Sequence, residues 1–222
     1  MAHHSKFDLK KKRIRAFFQT LESKEKDKEE IDEIQEKFIE EGLTYYQMSL
    51  PVENITDEFE ANLKEKVEKN ILHAKIRIAK EEDLDVLKNL YNRAWLSSNT
   101  PFRPITVDDL EKVHNDPDTL IFIGKVYGME AGFVILDREG NNKEYGIIAG
   151  LGVIPRFQRK GLGLVLGMKA WNYFKKEGVK ELKCEVYKEN ERSHQFIKSL
   201  GFRETGQKSY TSSDFEVENQ NI

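Results

Sequence analysis

The chain has 222 residues, 34% charged and 38% hydrophobic, which suits one domain with an appendage and neither a disordered chain nor a membrane protein. No apolar run approaches the roughly 20 residues that span a bilayer, and the start carries no apolar signal core, so cytoplasmic residence is expected and a membrane partner is not. The net charge of -3 argues against a general nucleic-acid binder, and the single cysteine, Cys184, has no disulfide partner and no zinc-type spacing around it, so no metal is expected.

Residues 1–74 read as a charged helical extension. Ile14, Phe17, Phe18 and Leu21 fall on one helical face, as do Ile31, Ile34 and Phe38, and then Phe59, Leu63, Val67 and Ile71. Each stripe is narrow, and such helices need a partner surface, either the rest of the chain or another chain, a homodimer included. Gly42 and Leu50–Asn54 read as breaks between them. The basic run Lys10–Arg13 is offset by acidic residues from Glu22 onward and reads as a solvated face.

Residues 75–222 read as the main domain. Lys75–Ala79 alternates as a strand does, and a helix beginning near Glu81–Asp83 puts Leu84, Leu87, Leu90 and Tyr91 on its inner face. A polar loop, Trp95–Pro104, leads to Thr106-Val107-Asp108-Asp109, a capping box opening a short helix. Leu120–Tyr127 and Ala131–Leu136 around a glycine-containing turn predict a hairpin, and a second turn leads into an apolar strand, Tyr145–Val153. That strand holds Gly146, Gly150 and Gly152; glycine inside a strand marks a bulge or the close approach of another group.

Between this strand and a helix predicted over Leu162–Glu177, with Val165, Met168, Trp171 and Phe174 inward, lies Gly152–Gly163. Gly161 and Gly163 allow backbone N–H groups to converge where the helix dipole is positive, which makes an anion site. Arg156, Arg159 and Lys160 add cations that need an anion nearby. The lysine of a P-loop is absent, and so is the Gly-x-Gly-x-x-Gly of dinucleotide folds; the motif present is Gln-x-x-Gly-x-Gly, Gln158 to Gly163. Leu182, Cys184 and Val186 then alternate with Lys183, Glu185 and Tyr187, and strand, helix and strand in this order predict a right-handed crossover to a parallel pair.

At Gln158–Gly163 the chain resembles the GNAT superfamily of N-acetyltransferases, whose pyrophosphate loop is Arg/Gln-x-x-Gly-x-Gly/Ala. Asn190 to Phe202 is similar to the family's Asn-x-x-Ala-x-x-x-Tyr-x-x-x-Gly-Phe helix. The resemblance runs from about Lys75 to Tyr210. It implies an α+β fold: a mixed, mostly antiparallel sheet with a splayed parallel pair at its centre and flanking helices, here with the N-terminal extension added. It implies acetyl-coenzyme A as co-substrate and an amine as acceptor. Gln158, Arg159, Lys160, Gly161, Leu162 and Gly163 would hold the pyrophosphate with Arg156, while Leu151 and Val153 offer backbone to the pantetheine arm and Asn190 and Ser193 lie beside it. Trp95, Phe102 and Arg103 border the acceptor channel by the same resemblance, or the aromatics merely anchor their loop.

Glu185-Val186 followed by Asn190 resembles the Glu-Val-x-x-x-Asn segment of the ribosomal-protein alanine N-acetyltransferases, where the glutamate is the base. Glu185 is therefore the candidate base, and a backbone N–H near Val153 the candidate oxyanion donor. Where the family helix carries a tyrosine that protonates the leaving thiolate, this chain has Ile197. Tyr187, Tyr210 or water would have to take that part, and a non-catalytic acyl-coenzyme A binding module stands as the alternative.

Overall fold

The computed structural model describes residues 42–68, 73–98, 100 and 104–211. The stripes before Gly42, and Ile71, Phe102 and Arg103, lie outside the described residues. Among the described residues seven strands form one sheet: β1 Leu43–Pro51, β2 Lys75–Ile78, β3 Thr119–Val126, β4 Met129–Glu139, β5 Tyr145–Val153, β6 Glu181–Tyr187 and β7 Arg203–Tyr210. Their order is β2-β3-β4-β5-β6-β1-β7, antiparallel throughout except for the parallel pair β5 and β6.

Among the described residues the α-helices are α1 Asp57–Glu68, α2 Leu84–Leu96, α3 Val107–His114, α4 Leu162–Lys176 and α5 Glu191–Ser199. Helix α2 packs with Tyr91 and Ala94 against Phe133 and Gly152 on one face of the sheet. Helix α4 covers the opposite face, where Leu162 and Leu166 fill the space over Gly124 and Gly132 and Phe174 lies on Gly146. The apolar spacing of α2 places Leu84, Leu87, Leu90 and Tyr91 inward as expected, and Thr106 caps α3 by accepting from Asp109 N–H. Tyr127 and Gly128 both have positive φ, 51° and 79°, which gives the two-residue turn whose twist matches the hairpin of β3 and β4.

Two expectations are corrected. Within the predicted helical extension, Leu43–Pro51 is a strand, hydrogen-bonded to β6 on one side and β7 on the other. The charged helical composition on either side hid its β-prone core, Leu43-Thr44-Tyr45-Tyr46, and tertiary pairing decided the outcome. In α4 the inward residue is Leu166, fully buried, while Val165 is only half-buried. Met168, Trp171 and Phe174 are buried as expected, and Leu166 rather than Val165 completes the stripe by lying over Gly132.

β1 has two distinct faces. Met48 and Leu50 are buried towards α1, where Phe59 lies near Gly201 and Leu50 and tilts against Trp171 of α4. Tyr46 stacks on His194 of α5 at 4.6 Å, so the residues paired in register with it and with Met48, Val186 and Cys184, share the α5 face. Tyr45, Glu185 and Tyr187 therefore project from the other face.

Candidate active site

β5 and β6 pair only from Tyr145–Ile147 to Glu181–Lys183, and beyond that they separate. The register of β5 against β4 jumps from Gly150 opposite Ile135 to Ile148 opposite Leu136, which leaves Ala149 as an extra residue, a bulge that bends the strand where the separation begins. The gap opens into a cleft of about 920 Å³ with Gly150–Val153 on one wall and Cys184–Tyr187 on the other.

Backbone alternation sets what the first wall offers. Ile154 N–H donates to Ala131 of β4, so the N–H and C=O of Val153 turn the opposite way, into the gap, and those of Leu151 follow two residues back. The Val153 carbonyl accepts from the Gln158 side-chain amide at 2.9 Å, and the same amide donates to Ser97 at the end of α2, at 3.0 Å. Gln158 thus staples the strand end to α2 rather than pointing into open space. A Cβ on Gly152 would meet Phe133 at 2.5 Å and Ala94 at 2.9 Å, so only glycine lets α2 lie this close.

The loop that follows turns through two left-handed residues, Arg159 at φ 58° and Gly161 at φ 83°. A left-handed non-glycine residue such as Arg159 stores strain that the surrounding structure must hold. Gly161 caps α4, its carbonyl accepting the Val165 N–H, and the N–H groups of Leu162, Gly163 and Leu164 fall in the first turn, where no helical acceptor exists. The Leu162 side chain is fully buried over Gly124 and Gly132, so of this predicted contact only the backbone faces the loop. A Cβ on Gly163 would come within 3.1 Å of Phe196, and its bareness keeps α4 and α5 together at the cleft. Arg156 and Lys160 flank the buried Phe157 at 5.7 and 5.8 Å and are exposed; of the three predicted cations, Arg159 lines the cleft. A nest of amides, a glycine cradle and exposed cations suit the charged end of acetyl-coenzyme A.

The second wall carries the titratable groups. Glu185 is half-buried, and Tyr210 of β7 donates to its two carboxylate oxygens at 3.1 and 3.2 Å. Tyr210 reaches it from behind and does not line the cleft, whereas Glu185 and Tyr187 do. Burial, then the charge of Glu189, pushes the Tyr187 phenol well above the ordinary tyrosine range, so it is neutral at any physiological pH. Tyr45 lies between them, 5.5 Å from Tyr187 and 5.7 Å from Tyr210, and also lines the cleft. Sequence reading missed Tyr45 because its strand was missed; the aromatic, β-prone run Leu43–Tyr46 was the available signal. Ile197 lines the cleft from α5, buried, with Cys184 on the same face of β6.

Asn190 caps α5 by accepting from Ser193 N–H at 3.0 Å and donates to Thr100 at 2.9 Å, tying Thr100 to α5. Ser193 lines the cleft beside it. Trp95 stacks on Tyr91 at 4.6 Å and 3° and also lines the cleft, so it both anchors α2 and forms wall.

A splayed parallel pair above a glycine-opened helix is the architecture of an acetyltransferase of the coenzyme A-dependent class. Residues 84–202 match the model of the Acetyltransferase (GNAT) family, and the chain belongs to that family. Similar solved structures include the aminoglycoside acetyltransferase AAC(6')-Iy with a coenzyme A bisubstrate analogue, at 20% identity over 62% of this chain and 96% of that one, TM-score 0.53. The PaiA N-acetyltransferase of Thermoplasma acidophilum with coenzyme A is 19% identical over 62% and 99%, TM-score 0.53. A conserved protein of unknown function from Staphylococcus epidermidis covers more of this chain, 81% against 66% of its own, at 14% identity and TM-score 0.53. At these identities the likeness is one of fold. No curated protein matches the chain.

Proposed function

We propose that the protein transfers the acetyl group of acetyl-coenzyme A to a primary amine, a protein N-terminus, a lysine or a small amine, by direct attack in a ternary complex. The observation that carries this reading is Glu185, fixed by Tyr210 on the wall of a cleft whose other wall turns the Val153 backbone inward. Bound acetyl-coenzyme A supplies the acetyl group as a thioester and departs as the thiol. The amides of Leu162 to Leu164, with Arg159, Arg156 and Lys160, hold its phosphates, Leu151 and Val153 hold the arm, and Asn190 and Ser193 shape the cleft beside it. Glu185 takes the proton of the attacking amine, directly or through water, and the Val153 N–H is the fixed dipole for the carbonyl oxygen as charge develops on it. The neutral Tyr187 hydroxyl offers a hydrogen bond to the departing sulfur in place of the family tyrosine. Cys184 lies on the opposite face of β6 from Glu185, which favours direct attack over an acyl-enzyme.

Ile197 favours a second reading, a non-catalytic acyl-coenzyme A binding module, because α5 offers no hydroxyl at that position. Thiol release from acetyl-coenzyme A, measured against N-terminal peptides, lysine peptides and polyamines, separates the two. Turnover on one class that Glu185→Gln abolishes supports transfer; tight cofactor binding with no turnover on any amine overturns it.

A further inference from the structure

Helix α1 lies ahead of the segment that matches the family model, residues 84–202, yet it reaches the cleft. Its seating runs along α4. Glu60 is buried and accepts from Lys175 in the last turn of α4 at 3.1 Å, and Phe59 tilts against Trp171 at 5.8 Å. Nearer the start of α4 its neighbour is α5, with Leu200 on Gly167 and Phe196 on Gly163. Residues three or four apart share a helix face, so Leu63 and Lys66 continue the stripe of Phe59 beyond this anchor. Both line the cleft, together with Gly163, Phe196 and Ser199. Leu63 is 2% exposed and forms floor, whereas Lys66 stands at the surface.

Among the described residues, the cations on the cleft wall are Lys66, Arg159 and Arg192. They come from three separate places: α1, the loop that opens α4, and the first turn of α5. The cleft's carboxylates, Glu185, Glu189 and Glu191, stand on β6 and at the turn into α5, more than a helical turn ahead of Phe196. On the other side of Phe196, towards Ser199 and α1, the charge on the wall is that of Lys66; its neighbours Glu65 and Glu68 do not line the cleft. Coenzyme A also carries its charge in separate places, a pyrophosphate on one side of the ribose and a phosphate on the ribose 3' oxygen, and a phosphate monoester holds close to two negative charges at neutral pH. The loop amides and Arg159 make one anion site. The second phosphate needs a cation of its own, set off from that loop by the width of a nucleoside.

We propose that α1 completes the cofactor site: Lys66 binds the 3'-phosphate of coenzyme A, and Leu63, with Phe196 of α5, flanks the adenosine. This assignment rests on acetyl-coenzyme A being the ligand of the cleft. It gives α1, which precedes the family segment, a part in selecting the phosphorylated cofactor over its 3'-dephospho form.

The test is calorimetric titration of the full chain with coenzyme A and with 3'-dephospho-coenzyme A. The unaltered protein is expected to bind coenzyme A more tightly. Lys66→Ala should weaken coenzyme A about three- to tenfold, the range of one charge-assisted contact at a partly exposed site, and leave the dephospho form unchanged. Lys66→Arg should keep the preference, and unchanged binding of the dephospho form serves as the check that each variant is folded. Equal weakening of both ligands, which would put Lys66 on the pyrophosphate, or no weakening of either, overturns the assignment. Photolabelling with 8-azidoadenosine coenzyme A provides a second measure: label is expected within Asp57–Glu68, and label confined to other segments overturns it equally. An unaltered protein that binds both ligands alike sinks this inference alone. One that binds neither sinks the acetyl-coenzyme A reading with it.

Discussion

Glu185 and Asp83 are both carboxylates held by hydrogen bonds, and their partners give them different work. Tyr210 supports Glu185 through one hydroxyl and leaves it on the cleft wall. Glu185→Gln keeps the shape and removes the proposed base, so kcat is expected to fall by about 10²- to 10⁴-fold with coenzyme A affinity unchanged, as steady-state kinetics and calorimetry would report. Tyr210→Phe should lower kcat less, because the carboxylate remains and only its support is lost.

Asp83, by contrast, is sealed into structure. Arg77 donates to both of its oxygens, at 2.5 and 2.7 Å, and the Lys80 N–H donates at 2.8 Å. The Arg77 hydrogen bonds, working against burial, hold its carboxyl down at about 2. A folded value below the unfolded one of about 3.9 means stability that is full above pH 5 and drains away as pH falls towards 2, worth about 2.5 kcal/mol. Asp83→Asn is expected to lose most of that at pH 7 and to flatten the acid limb of a urea-unfolding series between pH 6 and 2.5. An unchanged acid limb would show that Asp83 is not its source.

Among the elements, β5 and the turn into α4 do most to form the site. The Ala149 bulge starts the separation from β6, Gly152 admits α2, and Gly161 and Gly163 open α4. Gly152→Val would force a side chain into Phe133 and Ala94, and overpacking of this kind costs about 1–3 kcal/mol. Thermal melts should show that loss. Gly161→Val places a β-branched residue at φ 83°, where the left-handed region is unfavourable, so weaker coenzyme A binding is expected along with a modest loss of stability. The glycines and the loop cations were legible because their reasons are local: a turn, a positive φ, a helix end. The role of Gln158 was not, since its bonds to Val153 and Ser97 depend on where α2 ends in space.

For the molecule as a whole, the decisive feature is that β1 lies outside the segment matched by the family model and inside the sheet. Without it β6 and β7 lose their shared partner, and Tyr45, Met48 and Leu50 leave a void in the sheet, each worth about 1.5–3 kcal/mol in burial alone. A chain beginning at Lys75 is therefore expected not to fold cooperatively, as circular dichroism during thermal unfolding would show. A native-like transition from that truncation would mean that β1 is dispensable.

Taken alone, the sequence determined the hairpin of β3 and β4, the crossover from β5 through α4 to β6, and the glycine-opened turn into α4, all of which arise from near neighbours in the chain. Only the tertiary structure decided that Leu43–Pro51 is a strand, that Tyr45 joins Tyr187 and Tyr210 near Glu185, and that the Leu162 side chain is buried. The first two outcomes rest on pairings across more than a hundred residues, such as Tyr45 with Tyr187. A charged, helix-rich neighbourhood outweighs a short β-prone run until the two open strand edges of β6 and β7 offer it hydrogen bonds on both sides.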